Sequence, residues 1–167
     1  GSDVTFSPPE NYNGSESFTV SVTDGELIDS QSITVTVNAV NDAPVASDIS
    51  INIDEDNGIV IQLLGSDVDA NTTLIYEIVT STVNGDLSVD GGLVTYIPDT
   101  NFNGDDSFTY RVSDGFLNSE VATVTITVTS INDVPVIVSV APTTATEDIE
   151  YTYQVDVEDP DNDSFDF

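Results

Sequence analysis

Between Ile49 and Val128, apolar residues occupy every second position in short runs that glycine, asparagine and aspartate interrupt. Alternation of this kind sends successive side chains to opposite faces, which is the mark of half-buried strands. Ile49, Ile51 and Ile53 predict a first strand, A, and "IVIQLL" from Ile59 a second, B. "LIYEIV" from Leu74 predicts strand C. Asn84-Gly85 is a two-residue hairpin signal leading to Leu87 and Val89, strand D. Asp90-Gly91-Gly92 turns into "LVTYI", strand E. "SFTYRV", with Phe108, Tyr110 and Val112, predicts F, and "VTITV", with Val124, Ile126 and Val128, predicts G. No stretch shows a helical period. Seven strands and no helix predict an all-β fold, an immunoglobulin-like sandwich of two antiparallel sheets. Its threonine face stays wet while the valine, isoleucine and phenylalanine face closes the core.

The pattern recurs. "VTFSPPENYNGSESFTVSVTDGEL" from Val4 aligns with "VTYIPDTNFNGDDSFTYRVSDGFL" from Val94, pairing Phe18 with Phe108 and Asp24-Gly25 with Asp114-Gly115. One inserted residue later, "ITVTV" at Ile33 aligns with "VTITV" at Val124, and "VNDAPV" from Val40 with "INDVPV" from Ile131. Beyond the proline, Glu55-Asp56 aligns with Glu147-Asp148, and Asp67-Val68-Asp69 with Asp159-Pro160-Asp161. Self-similarity of this length is the signature of tandem repeats. Residues 1–44 read as the C-terminal half of one repeat with its linker, with strands like E, F and G. Residues 45–134 read as a complete repeat. Residues 135–167 read as the N-terminal part of a third, with strands like A and B.

Charge sharpens this. The chain carries 31 Asp plus Glu and one basic residue, Arg111, for a formal net charge of -30. Nucleic acid and anionic lipid are excluded as partners, because like charges repel. Disorder is disfavoured, since 38% of the residues are apolar and fall in strand-like runs. The chain has no Cys and no His, so it has no disulfide, no thiolate or imidazole ligand and no Ser-His-Asp triad. It also has no apolar run of about 18 residues that would insert directly into a membrane.

In a sandwich, the N-terminus and the B–C, D–E and F–G loops share one end. The A–B and E–F loops and the C-terminus share the other. Asp67 and Asp69 fall in the B–C loop and Asp114 in the F–G loop. Glu55 falls in the A–B loop, Asp105 and Asp106 in the E–F loop, and Asn132-Asp133 after strand G. End-to-end stacking brings Asn41 and Asp42 to Asp67, Asp69 and Asp114. It also brings Glu55, Asp105 or Asp106, Asn132 and Asp133 to Asp159 and Asp161. Carboxylates crowded in this way repel by about 1 kcal/mol per pair at 4 Å even in bulk water. Ca²⁺ accepts six to eight oxygens at roughly 2.3–2.6 Å, the ligand type on offer, whereas Mg²⁺ demands a stricter octahedron. The repeated Asn-Asp phrase is therefore a ligand-donating linker, stiffened at its exit by Pro44 and Pro135.

"FNGDDSFTYRVSDG", "VTITV", "INDVP" and the acidic "ED" and "DPDND" resemble the cadherin-like tandem repeats of large bacterial surface proteins and adhesins, over essentially the whole chain. The order of acidic motifs is also similar to that of animal cadherins. The resemblance implies Ca²⁺ held at one junction by Glu55, Asp106, Asn132, Asp133, Asp159 and Asp161. At the other it implies Asn41, Asp42, Asp67, Asp69 and Asp114. The animal linker carries an aspartate where this chain has Ala39 and Ser130, and an asparagine where it has Ala43 and Val134, which implies fewer ions per junction.

Asp67-x-Asp69 does not begin an EF-hand, whose sixth and twelfth positions would be Thr72 and Ile78 here. Asp114-Gly115 is also an ordinary turn pair. Three functions remain. The first is a calcium-binding extracellular spacer and cell-adhesion module, whose partners are neighbouring repeats and a cell-surface protein or polysaccharide. The second is a carbohydrate-binding module of a polysaccharide-active protein. The third, an enzyme, is disfavoured because the carboxylates are grouped by junction rather than around a cleft.

Overall fold

The computed structural model describes residues 3–161; the last part of the third repeat segment, 162–167, lies outside the described residues. The leading segment forms a hairpin of β1 (Gly14–Thr23) and β2 (Ile28–Val37). The complete repeat follows with β3 (Val45–Ala46), β4 (Ile49–Asp54), β5 (Ile59–Gln62), β6 (Gly65–Ser66), β7 (Ile75–Thr80), β8 (Gly85–Asp90), β9 (Leu93–Pro98), β10 (Gly104–Ser113) and β11 (Ala122–Thr129). The trailing segment adds β12 (Val136–Ile137) and β13 (Val157–Glu158).

The repeat's strands build a four-stranded sheet, β4-β11-β10-β7, and a three-stranded sheet, β5-β9-β8. All pairs are antiparallel except β4 with β11, which run parallel from Val124↔Ile49 to Thr129↔Asp54. The exception follows from counting. Each of seven successive strands reverses direction, so the first and last point the same way and pair parallel when they lie side by side. The edge strand also begins earlier than the alternation suggests, because β3 pairs antiparallel with β6 before the chain crosses to β4. Tyr110 fastens this crossing. Its buried hydroxyl shares its one proton between Ser47 O (2.6 Å) and Leu64 O (2.8 Å) and accepts from Leu64 N (3.2 Å).

The core lies between these two sheets. Ile61 and Leu63 meet Val94 and Tyr96, and all four face Phe108, Tyr110, Val112, Ala122, Val124, Ile126 and Val128. Leading hairpin β1-β2 repeats β10-β11 in register: Phe18↔Ile33 matches Phe108↔Val124, and Gly14↔Val37 matches Gly104↔Val128. Phe108 is fully buried, whereas Phe18 is only half-buried. The difference is that, among the described residues, no facing sheet covers Phe18. For the same reason the strand like E around Val4–Phe6 and the strand like B in the trailing segment do not form among the described residues. Among the described residues the trailing segment pairs β12 with β13, the equivalent of β3-β6, and forms nothing at the place of β4, so the expected strand like A does not form there either.

Candidate functional site

Where the leading hairpin ends, the linker runs onto the B–C and F–G loops of the complete repeat. Asn41 Nδ2 donates to Asp114 Oδ2 at 2.6 Å and to Asp42 O at 3.0 Å, and Asp42 N donates to Asp69 Oδ2 at 2.8 Å. The Asp-x-Asp loop is closed by Asp69 N donating to Asp67 Oδ1 at 2.8 Å. The structure thus brings Asn41, Asp42, Asp67, Asp69 and Asp114 together. Asp114 is held by the turn it belongs to: its Oδ1 accepts from Phe116 N (2.6 Å) and Leu117 N (2.7 Å). Bonding to Leu117 N–H, the Asn41 amide and Phe116 N–H keeps its carboxyl below the usual range.

The second junction repeats three of the bonds of the first. Asn132 Nδ2 donates to Asp133 O (2.9 Å), Asp133 N to Asp161 Oδ2 (2.6 Å), and Asp161 N to Asp159 Oδ1 (2.8 Å). Ser130 Oγ adds a donor to Asp161 Oδ1 at 2.9 Å, where the animal linker has a carboxylate. Glu55, 3% exposed, reaches the linker from the A–B loop and accepts from Ile131 N at 2.7 Å, while its own N–H donates to Thr129 O at 2.9 Å. Asp133 is raised above the usual carboxylate range by desolvation, then by the charges of Asp161, Asp56, Glu55 and Asp159. Those four charges place both sides of the junction around one carboxyl group.

Asp106 is positioned differently. It is 6% exposed, and its Oδ1 accepts from Val83 N (3.1 Å) and Ser107 N (2.8 Å). Its Oδ2 accepts from Asn84 N (2.9 Å) and the Tyr96 hydroxyl (3.1 Å). Four donors match the four lone-pair directions of a carboxylate, so Asp106 pins the C–D connection to β10; at Asn84-Gly85 the chain crosses from one sheet to the other, and the hairpin expected there does not form, because β7 pairs with β10 and β8 with β9. Burial, then Asp106, pushes the Tyr96 hydroxyl well above its ordinary pKa. Asp105 turns to the outer sheet face, where its Oδ1 accepts from Thr127 Oγ1 (2.8 Å). Sequence reasoning missed Asp56 and Asn101, which the structure links through Asn101 N donating to Asp56 Oδ1 at 3.1 Å. The available signal was the repeated Pro-x-x-Asn that aligns Asn101 with Asn11.

Two carboxylate oxygens, Asp67 Oδ2 at the first junction and Asp133 Oδ2 at the second, are buried with no hydrogen-bond partner. A buried, partnerless anionic oxygen costs about 1–3 kcal/mol or more and calls for an ion or water beside it. The surrounding donor set is all oxygen, which fits Ca²⁺. Among the described residues, no three His, Cys, Asp or Glu side chains form a ready-made metal cage. Backbone N–H groups and the Asn41 amide occupy several of the carboxylate oxygens.

Among solved structures, the fold is similar to the protocadherin GammaB4 extracellular domain, with a TM-score of 0.60 and 19% identity over 89% of this chain and 29% of that one. The protocadherin gammaB7 EC3-6 cis-dimer structure gives 0.59 and 22% over 88% and 44%. An endo-fucoidan hydrolase from glycoside hydrolase family 107 gives 0.44 and 19% over 79% and 22%. The chain thus spans less than half the length of each of these structures. No curated protein matches it. Among the described residues, no helix is long and apolar enough to cross a membrane. With a seven-stranded sandwich, a tandem register and a match to the "Bacterial Ig domain" family over residues 1–38 and 41–127, the chain belongs to that family.

Proposed function

We propose that this protein works outside the cell, at the surface, as a non-enzymatic spacer and adhesion module whose repeat junctions are stiffened by Ca²⁺. At the first junction Asn41, Asp42, Asp67, Asp69 and Asp114 would hold the ion, and at the second Glu55, Asn132, Asp133, Asp159 and Asp161. Asp106 serves the fold. Bound Ca²⁺ supplies positive charge to oxygens contributed by segments remote in sequence, so binding is coupled to the angle between neighbouring repeats. The observation that carries this reading is the pair of buried carboxylate oxygens without partners, one at each junction. Sites in extracellular modules typically bind at about 10⁻⁴–10⁻³ M, so 10 mM Ca²⁺ would stabilise each junction by about 1.4–2.7 kcal/mol.

Calorimetric titration with Ca²⁺, paired with melting and small-angle scattering in Ca²⁺ and in EDTA, tests it. Saturable binding, a higher melting temperature and a narrower distribution of shapes in Ca²⁺ are expected. Asp133→Asn removes one charge from the crowded group, so it should melt higher than wild type in EDTA and gain less from Ca²⁺. Identical melting and scattering in Ca²⁺ and EDTA overturn the reading.

A further inference from the structure

We propose that the E–F turn enters each junction through an asparagine, Asn101 at the second and Asn11 at the first, rather than through Asp106. This inference rests on the calcium reading above. Asn101 lines the same cleft as Asp133, Glu158 and Asp159. Asn11 lines the corresponding cleft with Asp42 and Asp69. The two asparagines occupy aligned positions in successive repeats, and both clefts face the linker aspartate and the Asp-x-Asp loop.

The backbone places both residues in the same way. Phe102 N donates to Asp99 O at 3.0 Å, and Tyr12 N donates to Pro9 O at 3.3 Å, so each asparagine is the third residue of the same tight turn. Both have φ of 57°, the left-handed region that asparagine tolerates better than most residues and that glycine adopts freely. At the second junction the turn is also tied to the A–B loop, since Asn101 N donates to Asp56 Oδ1, and Asp56 itself has φ of 58°. Left-handed residues that recur at aligned positions beside a charged cleft are held there by the structure around them.

Asp106 is already engaged on the fold side by four donors, the N–H groups of Val83, Asn84 and Ser107 and the Tyr96 hydroxyl. Its counterpart Glu16 is exposed and accepts from the Tyr12 hydroxyl at 3.0 Å. In both repeats it is the turn asparagine that borders the junction cleft. An amide oxygen in that place adds a neutral ligand to a group already crowded with negative charge, which suits a hard cation that accepts carbonyl-type oxygens.

The bland account of Asn101 is that it only suits the turn. Asn101→Gly separates the two accounts, because glycine keeps the backbone geometry and the N–H to Asp56 while removing the amide oxygen. Asn101→Asp restores an oxygen at the same place. Calorimetric Ca²⁺ titrations and melts in EDTA are run on both variants and the wild type, all as the full chain. Asn101→Gly should weaken the second-junction step at least about tenfold and leave melting in EDTA where the wild type has it, while Asn101→Asp keeps the step. A glycine variant with the wild-type titration overturns this inference and leaves the calcium reading standing. A wild type with no Ca²⁺ response overturns both.

Discussion

Replacing Asp106 with asparagine separates the acids that build the fold from those that face the junctions. The carboxylate serves four donors at 2.8–3.1 Å: the N–H groups of Val83, Asn84 and Ser107 and the Tyr96 hydroxyl. Asparagine retains one acceptor oxygen and turns an NH₂ group toward two of those donors. The Tyr96 hydroxyl keeps Asn84 O as an acceptor at 3.2 Å, so the burden falls on the main-chain N–H groups. With its oxygen in the Oδ1 place, asparagine still serves Val83 N–H and Ser107 N–H and orphans the Asn84 N–H. A buried donor left without an acceptor costs about 1–3 kcal/mol, so the variant should lose about that much. For a domain of this size that is roughly 4–24 °C in melting temperature, a sizeable part of a typical stability of about 5–15 kcal/mol. Melting by circular dichroism and urea midpoints, each in Ca²⁺ and in EDTA, provide the assay. The loss should be the same in both. A loss below about 0.5 kcal/mol, within the range of ordinary surface substitutions, would refute the hydrogen-bond argument. A loss confined to Ca²⁺ would make Asp106 a ligand instead.

Two further outcomes are expected. In EDTA, stability should rise as the pH falls from neutral, because raised Asp133 binds more protons folded than unfolded, and its contribution is complete below the ordinary aspartate pKa. Asp114 and Asp24 are lowered, so their contribution is lost on acidification below the ordinary aspartate pKa, which places the maximum around that ordinary value; a melting temperature that only falls from pH 7 downward contradicts this. Gly85→Ala should cost about 1–3 kcal/mol, because its Cβ would lie 2.5 Å from Tyr96 Cε2, 2.6 Å from Ile97 O and 2.9 Å from Pro98 Cα. A urea midpoint like that of the wild type would show that the hairpin can shift to make room.

Strands A to G of the complete repeat were legible because each has a facing sheet, and burial on one side imposes the alternation. The same alternation at Val4–Phe6 does not give a strand, since a strand is completed by its neighbours and those are lacking there. The crossing from β3 to β4 was not legible either: two residues carry no period, and Tyr110, which fastens the crossing, reads in sequence as one more core aromatic. Among the acids, position along the fold predicted which would gather. Asn41 and Asp42 do meet Asp69 and Asp114, and Asp133 does meet Asp161. What sequence could not separate is Asp106 from Asp133. Both are single carboxylates beside polar loop residues, but the main-chain N–H groups of Val83 and Asn84, remote in sequence, hold Asp106, and such groups leave no trace in residue type.

The distribution of charge favours the junctions over the sheets as the place where a cation would act. The outer faces are knit by neutral hydroxyl pairs, Ser17 with Thr34 at 2.9 Å, Ser21 with Ser30 at 2.7 Å and Thr80 with Thr109 at 2.7 Å. Arg111, the one basic residue, is spent on Glu77 at 2.7 Å in an exposed pair of small value. No side-chain cation is left for the acids at the repeat ends. The hydrogen bonds there are already in place without an ion, and three of them recur at both junctions, so the linker's path is set largely by main-chain N–H groups and Asp-x-Asp geometry. The uncompensated term is the charge on oxygens such as Asp67 Oδ2 and Asp133 Oδ2. A divalent cation would therefore act on junctions whose route is already drawn, and its effect should appear as stiffness and resistance to melting more than as a change of fold.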